Sequence, residues 1–140
     1  IGAEIPTFQI LLYPATNMVF DTLSHTEREQ DEFIPRDRLD WYLQQYLNGD
    51  EDKEDLRVSP LRAETLLGQP PALIIFGGFD PLRDDGKLYG ERLNSFGVDV
   101  TVHEYPGQIH AFLSLTKAIP QGMQATREVA DYIKRQFARN

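Results

Sequence analysis

Ala72-Leu73-Ile74-Ile75-Phe76-Gly77-Gly78-Phe79-Asp80-Pro81-Leu82-Arg83-Asp84-Asp85-Gly86 reads as a strand, a stop and the start of a helix. The run from Ala72 to Phe76 has no polar residue, which suits a parallel strand covered on both faces. Gly77-Gly78 is expected to end it. The stretch from Pro81 to Phe96 then follows a helical period that buries Leu82, Tyr89, Leu93 and Phe96, with Gly97 as its stop. Val98-Asp99-Val100-Thr101-Val102-His103 alternates strictly, so one face of this second strand should be wetter. Strand, helix, strand in this order is a βαβ unit, whose two strands are parallel and connected right-handedly.

Working outward, Phe8-Gln9-Ile10-Leu11-Leu12-Tyr13 is a third strand, stopped by Pro14. Leu39, Tyr42, Leu43, Tyr46 and Leu47 fall on one helical stripe with Asn48-Gly49 as a stop. A last helix is expected over about Pro120 to Ala138, with Val129, Ala130, Ile133 and Phe137 turned inward. Phe20 to Ile34 is a polar excursion suited to a lid or side wall, and Asn48 to Arg57 is an acidic, solvated connection. The expected class is α/β, with three mainly parallel strands and flanking helices.

The chain has 140 residues, a net charge of -8 and no cysteine. One domain of that length can bury a real core. The acidic balance argues against nucleic acid, which needs a basic face. No apolar run approaches the roughly 20 residues that span a bilayer, so no membrane span is expected. Three scattered histidines without an H-x-x-x-H helix, and no thiolates, argue against a metal site. The glycines lack dinucleotide-binding spacing, so no cofactor is expected. The opening Ile1-Gly2-Ala3-Glu4 has neither an initiator Met nor a leader pattern, as expected of a processed product or a fragment.

Two side chains carry the chemical argument. Asp80 lies beyond the carboxyl end of its strand, where open α/β sheets gather reactive groups. Asp-Pro at such a junction is also a helix cap, worth about 1 kcal/mol without any chemistry. His110, in Gly107-Gln108-Ile109-His110-Ala111-Phe112, lies just beyond the next strand, with Pro106-Gly107 as the turn that aims it. Neighbouring strands are about 4.8 Å apart, so the two loops can bring carboxylate and imidazole together. A carboxylate so placed fixes the imidazole tautomer and stabilises the cation formed when the ring accepts a proton. His25 and His103 are expected to be solvent-exposed instead. Ser24, Ser59, Ser95 and Ser114 all lack the G-x-S-x-G setting of an exposed nucleophile and read as structural.

At these residues the chain resembles the carboxyl-terminal half of an α/β-hydrolase of the hormone-sensitive-lipase-like carboxylesterase and lipase family. Leu12-Tyr13-Pro14, Ser59-Pro60-Leu61, Gly78 to Gly86, Glu91-Arg92-Leu93 with Gly97-Val98, and Gly107 to Phe112 carry the resemblance, in order. Gln108 and Ala111 depart mildly from it, where Met and Gly are frequent. The resemblance implies that Asp80 is the acid and His110 the base of a Ser-His-Asp triad acting on short- to medium-chain acyl esters. Ile109 and Phe112 would then be substrate contacts, with no metal or cofactor. It further implies a nucleophile and oxyanion hole upstream, so that residues 1–140 are half of a catalytic domain, with 20–57 as lid or side wall and connection. The missing amino-terminal half, or self-association through the edge strand 8–13, would complete it, and a cytoplasmic location is expected. Two rival readings are a non-catalytic small-molecule-binding member of the fold and a free-standing interaction domain.

Overall fold

The computed structural model describes residues 5–31 and 33–138. The Ile1–Glu4 stretch, read as a fragment's opening, lies outside them. The strands are β1 (Gln9–Leu12), β2 (Ala72–Phe79) and β3 (Val100–Ile109), all parallel, in the order β1-β2-β3. The helices are α1 (Leu23–Glu27), α2 (Arg36–Tyr46), α3 (Arg83–Ser95) and α4 (Pro120–Ala138), with short 3-10 turns at Asp50–Glu54, Pro60–Arg62 and Phe112–Leu115.

β2 is central because both of its faces are covered. Ala72, Ile74 and Phe76 pack with Tyr89 and Leu93 of α3. Leu73 and Ile75 pack on the opposite side with Tyr105, Phe112, Ala125 and Tyr132. This is why the run is apolar at every position, each fully buried aliphatic side chain contributing about 1.5–3 kcal/mol. A third cluster, Phe20, Ile34, Leu39, Leu43 and Leu82, joins α2 and the segment before it to the start of α3. The polar excursion is thus anchored by its few apolar residues.

Four expectations shift. β2 continues through Gly77-Gly78 to Phe79, and β3 continues through Pro106-Gly107 to Ile109. Gly77 pairs with Tyr105 but Phe79 pairs with Ile109, so β3 bulges over the glycines. A Cβ on Gly77 would strike the Gln108 carbonyl, and one on Gly78 the backbone of Pro106. The glycines therefore mark a close approach of strands rather than a strand end, and Pro106-Gly107 is a bulge rather than a turn. α2 buries only Leu39 and Leu43, leaving Tyr42 and Tyr46 52% and 67% exposed. It packs on the excursion rather than on the sheet, so its buried stripe is narrow. α4 has the expected bounds but is rotated, burying Gly122, Ala125, Tyr132 and Gln136. Phe137 is 66% exposed and meets Phe8 edge-on with ring centroids 5.6 Å apart. Phe96 ends α3 partly buried, and Ala130 is exposed.

Candidate functional site

Because β2 and β3 are adjacent and parallel, their carboxyl ends lie side by side, and Asp80 and His110 follow them directly. His110 Nδ1 is 3.0 Å from Asp80 Oδ2. The other oxygen, Oδ1, accepts the Leu82 N–H at 2.8 Å. The cap-like turn and the imidazole contact are therefore both made, one by each oxygen. Asp80 is fully buried, while the His110 side chain is 18% exposed. A carboxylate only accepts, so the proton of the neutral ring sits on Nδ1 and Nε2 keeps its lone pair. Among the described residues Nε2 has no hydrogen-bond partner.

The ring is held from the side as well. Tyr13 lies against it with centroids 4.7 Å apart. Tyr13 and Ala111 both adopt positive φ, 41° and 59°. Backbone strain in non-glycine residues on both flanks of one histidine is a frequent mark of a working site. His110 lines an apolar chamber of about 350 Å³ together with Met18, Phe20, Ile34, Leu39, Tyr42, Tyr46 and Leu82. A larger depression beside Asp40, Gln44 and Lys53, about 500 Å³, includes neither Asp80 nor His110. We place the site at the chamber, because the Asp80-paired imidazole of His110 and an apolar lining coincide there.

A second carboxylate–imidazole pair lies behind the chamber wall. Asp85, in the first turn of α3, has Oδ1 3.2 Å from His25 Nε2, and both side chains are fully buried. His25 is thus not solvent-exposed as expected; α1 turns it under Phe20 toward α3. Asp85 Oδ2 accepts the N–H groups of Thr16 and Asn17 at 2.8 and 2.9 Å. Burial pushes the Asp85 carboxyl above its usual range, against the opposing pull of the His25 contact and those two N–H groups.

His103 is about one-third exposed and sits 2.8 Å from Glu128 Oε2, the oxygen that also accepts the Tyr105 hydroxyl at 2.8 Å. Burial raises the Glu128 pKa, but the hydrogen bonds from Tyr105 and Gln124 outweigh it and hold the group below its ordinary value. This cluster ties α4 to β3 away from the chamber.

Of the expected substrate contacts, Ile109 is half-buried at the end of β3. Phe112 is fully buried between β3 and α4, which leaves it no surface for a ligand. That expectation gives way: Phe112 anchors the His110 loop from below. Tyr42, Tyr46, Met18 and Phe20, on the chamber wall, had no signal of their own, since the tyrosines share the stripe of an ordinary buried face. Ser59 accepts the Met18 N–H at 2.8 Å and donates to the Lys53 carbonyl at 2.5 Å, a structural use. Ser24 is buried and donates to the Pro81 carbonyl at 2.7 Å. Among the described residues no group of three or more metal-ligating side chains converges, and no helix is long and apolar enough to cross a membrane.

The sheet, its two helical layers and the acid–imidazole pair at the strand ends define an α/β hydrolase. Residues 2–114 match the family described by the alpha/beta hydrolase fold, and the chain belongs to that family. It is 35% identical over 139 residues to the carboxylic ester hydrolase LipN of Mycobacterium tuberculosis, covering 99% of this chain and 37% of that protein. It is 32% identical to the carboxylesterase NlhH of the same species, covering 96% of this chain and 43% of the relative. A crystallised alpha/beta hydrolase enzyme from the metagenome of Lake Arreo, Spain, superposes with a TM-score of 0.90 at 40% identity, over 95% of this chain and 42% of that one. The chain therefore spans less than half the length of each of these proteins. The resemblance to hormone-sensitive-lipase-like carboxylesterases agrees with them.

Proposed function

We propose that this chain is the carboxyl-terminal part of a serine carboxylesterase, with Asp80 as the acid and His110 as the base of its triad. The observation that carries the reading is the pairing itself: a fully buried carboxylate 3.0 Å from Nδ1 of an imidazole whose other nitrogen is left free at an apolar chamber. The kinship to carboxylic ester hydrolases supports the reaction class.

In this reading His110 Nε2 takes the proton of an upstream serine hydroxyl as its oxygen attacks the ester carbonyl. The imidazolium formed faces Asp80, which stabilises it and keeps the ring in register. His110 then protonates the departing alcohol, and the acyl-enzyme is cleared by water along the same proton route in reverse. Nucleophile and oxyanion amides belong to an amino-terminal half that precedes these residues in the complete protein, and residues 20–57 serve as side wall of the substrate site. The chamber suits the apolar portion of a short- to medium-chain acyl ester. The natural occupant of the outer edge of β1 is a strand from that amino-terminal half; failing it, a second copy of the chain pairs there. A cytoplasmic location is part of the same proposal, and cell fractionation would check it.

Chromogenic short-chain esters test the reading. Residues 1–140 alone should hydrolyse nothing above background. The complete protein should turn over, and His110→Ala in it should lower kcat by about a thousandfold or more. Robust hydrolysis by residues 1–140, or an unimpaired His110→Ala protein, would overturn the assignment.

A further inference from the structure

Phe20 forms part of the chamber wall, is almost fully buried, and adopts φ 56°. A bulky residue stays in the left-handed region only where its surroundings over-determine it. Three contacts do so. The Phe20 N–H donates to the Asn17 carbonyl at 3.1 Å. The His25 ring meets the Phe20 ring nearly edge-on, with centroids 5.0 Å apart. The Arg36 guanidinium lies over the same ring, 5.1 Å from its centroid.

Two of these three contacts run back to Asp85. One of its oxygens accepts the Thr16 and Asn17 N–H groups, fixing the chain just before Phe20. The other faces His25 Nε2 at 3.2 Å, fixing the chain just after it. Thr22 N–H points at His25 Nδ1 at 3.3 Å and the Thr22 hydroxyl lies 2.8 Å from the same atom. A backbone N–H can only donate, so Nδ1 is an acceptor and the His25 proton sits on Nε2, toward Asp85. Nδ1 is taken up by Thr22, Nε2 faces only the buried Asp85 carboxylate, and the ring is sealed from solvent, so His25 has no route to exchange a proton with a ligand.

We propose that the buried His25–Asp85 pair is a positioning device for substrate discrimination, holding Phe20 in place as one wall of the chamber that His110 also lines. It rests on the esterase reading for its kinetic consequence. The wall sets how much apolar chain the chamber accepts, so loosening it acts on the grip of longer acyl groups and leaves proton transfer at His110 in place. Specificity for apolar groups is built from such wall contacts.

The test uses the complete protein with two readouts. Acyl esters from acetyl to octanoyl report KM and kcat. Alkyl methyl ketones of matching length, which offer no leaving group, report binding by calorimetry. His25→Ala should raise KM for hexanoyl and octanoyl esters about tenfold, change kcat by no more than about threefold, and leave acetyl esters little affected. The Kd of the long ketone should weaken by a similar factor. His25→Gln, which can again donate toward Asp85, should recover most of the loss. If His25→Ala does not fold, Thr22→Val removes the hydroxyl from Nδ1, together with its 3.3 Å contact to Ser24 Oγ, and should shift the same constants about threefold in the same direction. Unchanged long-chain KM and ketone Kd in a folded variant would overturn the proposal. So would a loss confined to kcat. If the wild-type complete protein hydrolyses no ester, the esterase reading fails, and the ketone Kd values still decide whether His25 and Asp85 govern the chamber.

Discussion

Asp80 and Asp85 belong to the same Asp-Pro-Leu-Arg-Asp-Asp run, and each faces an imidazole, yet the two histidines have opposite prospects. His110 offers Nδ1 to its carboxylate, is partly exposed, and keeps Nε2 free at the chamber. His25 offers Nε2 to its carboxylate, has Nδ1 occupied by Thr22, and is sealed. A carboxylate–imidazole pair is therefore not a site by composition. On the proposed reading, what separates a proton shuttle from a fastening is whether the second nitrogen has somewhere to send a proton.

The sharpest way to break that contrast is to neutralise each acid in the complete protein. Asp80→Asn keeps an oxygen for the Leu82 N–H but offers an amide where Nδ1–H needs an acceptor. We expect kcat to fall by roughly 10³–10⁴, with folding intact by circular dichroism. A loss below about tenfold would mean that the pair does not orient a working base.

Asp85→Ala should fail in the other currency, stability. It strands the Thr16 and Asn17 N–H groups and His25 inside the wall, a loss of about 3–5 kcal/mol in urea unfolding. A loss under about 1 kcal/mol would show that the seam carries no weight.

A pH series sharpens the same point. Burial raises the Asp85 pKa, so the folded protein holds that proton at higher pH than the unfolded chain does. Its contribution to stability is full below the unfolded value near 3.8 and is lost as pH rises through the folded value. The stability of wild type relative to Asp85→Asn should accordingly decline from acid toward neutral pH and then level off. A difference independent of pH would remove the linkage.

The smallest effect concerns strain beside the His110 ring. Ala111 sits at φ 59°, so Ala111→Gly should stabilise the protein by about 1 kcal/mol, read as an upward shift in Tm. Destabilisation would mean that the Ala111 methyl group makes a contact worth more than the relief.

The contrast also explains what could be read from the chain alone. Strand identity was legible because β2 is apolar on both faces, and a strand buried by two layers writes that into every residue. The pairing of Asp80 with His110 was legible because topology alone puts consecutive parallel strand ends together. His25 was not, since nothing in the polar run Asp21 to Gln30 marks which side chain α1 turns beneath Phe20. Gly77-Gly78 was misplaced for a similar reason: the need for two missing side chains arises on β3, whose bulge no local pattern announces. The faces of α2 and α4 erred because periodicity finds a stripe but not which edge of it meets a neighbour. Tyr42 and Tyr46 sit on that edge, facing the chamber rather than a core.

The central claim is that His110 is the base, with Nε2 directed at the nucleophile. It is tested most directly by the crystal structure of the complete protein inactivated with an alkyl phosphonate ester. The account predicts phosphorus bound to an upstream serine oxygen, His110 Nε2 within about 3 Å of the phosphonylated centre, and the alkyl chain lying in the chamber against Phe20. An adduct on a side chain that His110 cannot reach, in a protein that hydrolyses esters, would contradict it.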